Sequence, residues 1–189
     1  RTAKEVFEKY AIVIAFLALL IVVSILCSSF LTPSNLILVL NQTSINGILA
    51  VGITYVLITA GIDISIGSVV GLSGVISAMV VKAGAPLPVG FLCGILAGTL
   101  VGVIIGILVT KGKLAPYIVT LGFLTIIRGA ALLIAGGRPI SSLGDAYGWI
   151  GNHNVFGVIP CPVIIFLIVV VIGHIILAHL QIGRYIYAV

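Results

Sequence analysis

The chain has 189 residues, of which 61% are hydrophobic and 7% charged, against about 25% charged in an ordinary soluble domain. That composition excludes a water-soluble globular fold. The net charge of +5 does not point to nucleic acid, because the nine basic residues stand singly at the ends of apolar runs and form no stripe or block.

A hydrocarbon core roughly 30 Å thick needs about 20 apolar residues in a helix. The long runs here are continuously apolar rather than alternating, which excludes an outer-membrane barrel. The pattern predicts an all-α, polytopic transmembrane helical bundle in a single domain over residues 1–189. Arg1, Lys4 and Lys9 precede a first apolar run over 11–31. It exceeds a signal-peptide core and has no A-x-A-like site, so it reads as an uncleaved span. Thr32 to Gln42 carries helix-start chemistry at Pro33 and Ser34, fitting either an interfacial helix or an early first turn of the second span. Further spans are predicted over 43–60, 66–81, 86–109, 115–135 and 157–180, about six in all.

The longest break, Gly136 to Asn154, is dense in turn residues and carries Tyr147 and Trp149, as an outer surface loop with aromatic anchors would. With a cytoplasmic N-terminus, the inner side holds Arg1, Lys4, Lys9, Lys111, Lys113 and Arg184, and the outer loops hold Lys82 and Arg138. That arrangement satisfies the positive-inside rule. The chain begins at Arg1 rather than methionine and stops at Val189 just after a basic turn, as a fragment of a longer protein would.

Glycine use separates the helices. The first span has none, whereas Gly90, Gly94, Gly98, Gly102 and Gly106 repeat every four residues in the fourth. Five glycines each cost a helix roughly 0.5 to 1 kcal/mol relative to alanine, so close backbone packing is needed to offset the loss. The fourth span is thus expected to be buried by helix packing. Gly67, Gly71 and Gly74 line one side of the third, and the first and sixth are candidates for the lipid-facing shell.

Enzymatic constellations are scarce. The four acids are Glu5, Glu8, Asp63 and Asp145, with no pair placed for acid/base work across a substrate. Cys27, Cys93 and Cys161 are widely spaced and indicate neither a disulfide frame nor a metal site. His174 and His179 are five apart, off the spacing that sets two ligands on one helix face. No H-E-x-x-H, G-x-S-x-G or phosphate-binding G-x-x-x-x-G-K-[ST] occurs. The residues predict no enzyme, no metal and no cofactor.

Two charges stand in or near the membrane, Asp63 and Arg128. An Asp or Arg at mid-helix costs about 2.5 to 3.5 kcal/mol, so each needs a partner, a cavity or the interface. Asp63 lies in "GIDISIG", where Gly61 can end the second span, Asp63 and Ser65 can start the third, and Gly67 opens its small-residue face. The predicted neighbouring spans are short, which would let the break dip into the membrane and border a pathway. Asp63 can act as a structural cap, a solute contact, or both. Arg128 can face a central cavity, snorkel outward or meet helix-end carbonyls. It can reach Asp63 only if the break goes deep, since the topology otherwise places the two toward opposite faces.

"FLTPSNL" at Phe30 to Leu36, "SINGILAVGITYVLITAGIDISIGSVVGLSG" at Ser44 to Gly74, "PYIVTLGFLTIIRGAALLIAGGRPI" at Pro116 to Ile140 and "IGRYIYAV" at Ile182 to Val189 stand in order along the chain. They resemble the permease subunits of bacterial ATP-binding cassette importers for sugars, of the ribose, xylose and galactoside type. Ala60 departs from that pattern, which usually has a second glycine there, and Ile64 and Ile66 replace the commoner Leu and Val. The resemblance implies about ten spans in the whole subunit, so that the chain is an N-terminal part of it. It implies a homo- or heterodimeric pathway in the inner membrane, a solute-binding protein outside, and ATPase subunits inside that hydrolyse the ATP. The outer loop is then a candidate surface for the binding protein. Two other readings are an ion-coupled secondary transporter using Asp63 and a membrane scaffold with no transport role.

Overall fold

The computed structural model describes residues 3–155, 157 and 159–188. Arg1 of the inner basic set, Val158 of the predicted sixth span and Val189 lie outside the described residues. Helix α1 runs Ala3–Leu26. It stops five residues before the apolar run does, because the backbone turns at Cys27 to Thr32. There the Phe30 N–H meets the Cys27 carbonyl at 3.0 Å, and the Thr32 hydroxyl donates to the Ser29 carbonyl at 2.7 Å. Serine and threonine offer the backbone such local partners in competition with the helix.

Helix α2 is one uninterrupted element, Pro33–Ile58, about 39 Å long at 1.5 Å per residue. Pro33 sits in the first turn, where its missing N–H leaves no bond unmade. The stretch from Thr32 to Gln42 is therefore the start of the second span. The predicted start at residue 43 was too late, and this span is not short.

Helices α3 (Ile66–Lys82), α4 (Leu87–Thr110) and α5 (Pro116–Ile134) follow. The predicted surface loop after them contains a helix, α6 (Asp145–Asn152), and a small antiparallel hairpin, β1 (Asn154–Val155) with β2 (Ile159–Pro160). The hairpin occupies the start of the predicted sixth span. Helix α7 accordingly begins only at Cys161 and runs to His179. A short amphipathic α8 (Gln181–Ala188) folds back, with Gly183 against the carbonyls of Ile176 and Leu177, where no side chain would fit.

The helices pack in two groups. In one, α3 lies between α4 and α5, which also touch each other; in the other, α2 packs on α7, and α7 carries α6 and α8. The α2–α7 contact is intimate. Gly47 admits the Phe166 ring so closely that a Cβ would lie 2.5 Å from it, and the Tyr55 hydroxyl donates to the Gly173 carbonyl at 2.8 Å. Helix α1 makes no extended contact with another element among the described residues, and its side chains from Tyr10 onward are mostly exposed.

Four helices, α2, α4, α5 and α7, are long and apolar enough to cross a membrane, and the apolar stretches Tyr10–Leu26 and Ile66–Lys82 are shorter. Large aliphatic side chains are exposed along nearly every one of them. A helical membrane bundle accounts for this, since lipid or a neighbouring protein replaces water on such faces.

Candidate functional site

The break between α2 and α3 is built from backbone chemistry. Gly61 returns its N–H to the Val56 carbonyl at 2.9 Å and Ala60 to the Leu57 carbonyl at 3.0 Å, the paired bonds of a Schellman cap. Glycines fill the left-handed position of this cap at the ends of α3 (Gly84, φ 97°) and α5 (Gly136, φ 65°). At the end of α2 it is Ala60, φ 54°, that carries the strain.

Beyond the cap, one oxygen of Asp63 accepts the Ser65 N–H at 2.8 Å and the Ser65 hydroxyl at 2.6 Å. Ser65 is fully buried. Its carbonyl starts α3 by accepting the N–H groups of Ser68 and Val69 at 2.9 and 3.0 Å. Asp63 thus holds the N-cap residue itself rather than a helical N–H, as a cap of the usual kind would. Its second oxygen has no hydrogen-bond partner among the described residues, and the side chain is half-buried. Gly67 is exposed, with open space where a Cβ would stand.

Helix α5 packs on this break. Thr120, 1% exposed, shares its hydroxyl proton between the Pro116 carbonyl of its own helix at 3.0 Å and the Ile62 carbonyl at 3.2 Å, and the Ser68 hydroxyl donates to the Leu124 carbonyl at 2.9 Å. Thr120 stands one turn inside α5, so the break sits about 6 Å beyond the helix start. That shallow dip decides the question of Arg128. It is exposed, eight residues further along α5, about 12 Å away along the axis, and no ion pair forms among the described residues. The structure does not bring Asp63 and Arg128 together.

Along α3, three glycines of α4 pack closely, Gly90 and Gly94 against its backbone and Gly98 against its side chains. A Cβ at Gly94 would lie 2.8 Å from the Ser73 carbonyl oxygen and one at Gly98 2.9 Å from the Ser73 hydroxyl, and Gly90 faces Val81 and the Ser77 carbonyl. Gly102 and Gly106 face open space. The packed seam is therefore shorter than the glycine repeat.

Beside this seam lies a groove of about 440 Å³ lined by Ser73, Gly74, Ser77, Phe91, Thr99 and Tyr147, among others. Tyr147 of α6 stacks on Phe91, ring centroids 5.7 Å apart, and its hydroxyl meets that of Ser77 at 3.1 Å. Sequence reasoning took Tyr147 for a surface anchor. The available signal was Gly144–Asp145, a helix-start pair ahead of it. Likewise the rings of His174 and His179, off helical spacing, meet edge-on at 6.0 Å, and no group of three metal-ligating side chains exists among the described residues.

A family model described as "Branched-chain amino acid transport system / permease component" matches residues 35–189. The chain belongs to this permease family. It is 40% identical over 185 residues to the ribose import permease protein of Bacillus subtilis, covering 97% of this chain and 58% of that protein. With the ribose import permease protein of Haemophilus influenzae it shares 41% identity over 183 residues, covering 93% and 55%. With the D-allose transport system permease protein of Escherichia coli it shares 34% over 187 residues, covering 96% and 56%. This permease chain spans somewhat over half the length of these curated relatives. No solved structure matches it. Family and apolar helices together make it a multi-pass membrane protein.

Proposed function

We propose that this permease chain forms part of the transmembrane pathway of an ATP-binding cassette importer that moves a monosaccharide of the ribose type across the inner membrane. The observation that carries this reading is the identity of 37 to 41% with ribose import permeases over at least 93% of the chain. In this reading the subunit has no ATP site of its own. ATPase subunits on the cytoplasmic side supply the energy, a solute-binding protein delivers the sugar from outside, and a second permease subunit completes the pathway.

The N-terminus is cytoplasmic. This puts the break at Gly61 to Gly67, the turn after α4 and helix α8 on the inner side, with α6 and the hairpin outside. The break borders the pathway, and the free oxygen of Asp63 is available there to a hydroxylated solute or to the coupling apparatus. Arg128 faces the pathway or the partner subunit, because lipid contact at its depth is unfavourable. Transport proceeds by alternating access, in which helices bearing small residues repack against one another. Reconstitution of the complete transporter tests this: ribose uptake into vesicles must require ATP, the ATPase and the binding protein together. Uptake that needs only an ion gradient would favour a secondary transporter with Asp63 as the coupling carboxylate.

A further inference from the structure

The two helix groups are joined at opposite ends by different means. On the side of the break the chain passes from α2 to α3 through Thr59 to Ser65, and Thr120 fastens Ile62 of that segment to the α3–α5 group. Thr59 to Gly61 are bonded back to α2 through the cap, so the freedom between groups lies just beyond it, at the junction of Gly61 and Ile62.

At the other end, α6 is the one element whose hydrogen bonds reach both groups among the described residues. The Asn41 amide of α2 donates to the Gly151 carbonyl at 3.2 Å, and Tyr147 meets Ser77 of α3. The two attachments are unequal. Toward α7, helix α6 packs directly and is tied by the Cys161 N–H on the His153 carbonyl at 2.9 Å and by the paired strands β1 and β2. Toward α5 it hangs on residues 135–144, a connection with left-handed backbone at Gly136, Gly137, Ser142 and Gly144 and no regular structure. Among the described residues, its specific hold on α3 and α4 is a hydroxyl contact and a stacked ring pair, both made by Tyr147, with Ala146 and Trp149 bordering a groove against Leu87 and Pro88.

We propose that α6 is a latch that stays with the α2–α7 group, and that its Tyr147, seated on Ser77 and Phe91, closes the outer end of the α3–α4 groove. Parting of the two groups pivots at the junction of Gly61 and Ile62 and lifts Tyr147 out of the groove. Neither the glycine seam nor the α2–α7 contact has to break. This rests on the transport reading above for its consequence, but the latch is a property of the fold and can be measured separately.

Two cysteine pairs separate the possibilities, placed in the complete transporter with Cys27, Cys93 and Cys161 replaced by serine. Ser77→Cys with Tyr147→Cys spans the latch; Asn41→Cys with Gly151→Cys lies within the moving group. Each is bridged with a short bis-methanethiosulfonate, which forms a disulfide to each cysteine with loss of methanesulfinate and is cleaved by reduction, and ATP-driven uptake of ribose is followed in vesicles. The expected result is loss of uptake when 77 and 147 are bridged, recovery on reduction, and unchanged uptake when 41 and 151 are bridged. Uptake that persists across the first bridge, or that is lost equally with the second, overturns the latch. If the unbridged protein takes up no ribose, the transport reading fails, and the latch is read from amide exchange instead. Tyr147→Phe must then speed exchange over 145–152 and leave 161–179 unchanged. Equal rates in both variants overturn it.

Discussion

Asp63 and Ser65 meet through a single carboxylate oxygen, which accepts the serine N–H at 2.8 Å and its hydroxyl at 2.6 Å. An amide oxygen can do the same, whereas a methyl group cannot. Hydrogen bonds to a charged group contribute roughly 1.5 to 3 kcal/mol. Asp63→Ala should therefore lower stability by about that amount, and Asp63→Asn by less than about 1 kcal/mol, measured by thermal unfolding in detergent. If Asp63→Asn keeps full stability but transport is lost, the free oxygen of Asp63 has a role of its own in conduction or coupling.

Ala60 occupies a position that glycine takes in two neighbouring helices. A residue with a Cβ in the left-handed region costs roughly 1 to 2 kcal/mol more than glycine there. Ala60→Gly is expected to raise stability by about 1 kcal/mol, with some of the gain offset by the greater freedom of glycine in the unfolded chain. A drop in the unfolding temperature of this variant would show that the left-handed cap is not formed.

Thr120 joins the break to α5 from a buried position. Thr120→Val keeps the shape and removes the hydroxyl facing the Ile62 carbonyl, which should cost about 1 to 2 kcal/mol. Thr120→Ser, which retains the hydroxyl, should cost less. The same order is expected in amide exchange, with the Ser65 and Ser68 N–H groups exchanging faster in the valine variant.

The glycine repeat of α4 divides into a packed part and an open part. Gly94→Ala pushes a Cβ onto the Ser73 carbonyl and should cost about 1 to 3 kcal/mol as overpacking. Gly102→Ala meets nothing within 4 Å and should be neutral or stabilise by up to about 1 kcal/mol through helix propensity. Comparable losses at both sites would mean that another chain covers Gly102.

The bundle class was legible in the sequence because continuous apolar runs in so sparsely charged a chain leave few alternatives. The ends of those runs were less so. Apolarity continued through Phe30 and Leu31 although hydroxyl residues had already turned the backbone. Conversely, Asn35, Asn41 and Gln42 looked like a polar interruption inside what is one helix, α2. Helix α6 was hidden by its glycines, since Gly148 and Gly151 lie inside an eight-residue element whose partners fix it from outside.

The local chemistry of the break could be read from Gly61, Asp63 and Ser65 because all its bonds span only a few residues. Thr120 could not, as its partner Ile62 is 58 positions away and nothing in "PYIVTLGFLT" marks Thr120 over Thr125. For the same reason the repeat in α4 could not reveal that Gly102 and Gly106 face open space.

The most direct test is ATP-driven uptake by the complete transporter in sealed vesicles, with ATP held constant and a protonophore added to collapse ion gradients. Ribose uptake that continues under the protonophore and stops when ATP hydrolysis is blocked is the predicted result. Uptake that collapses with the gradient while ATP remains would contradict an ATP-driven permease.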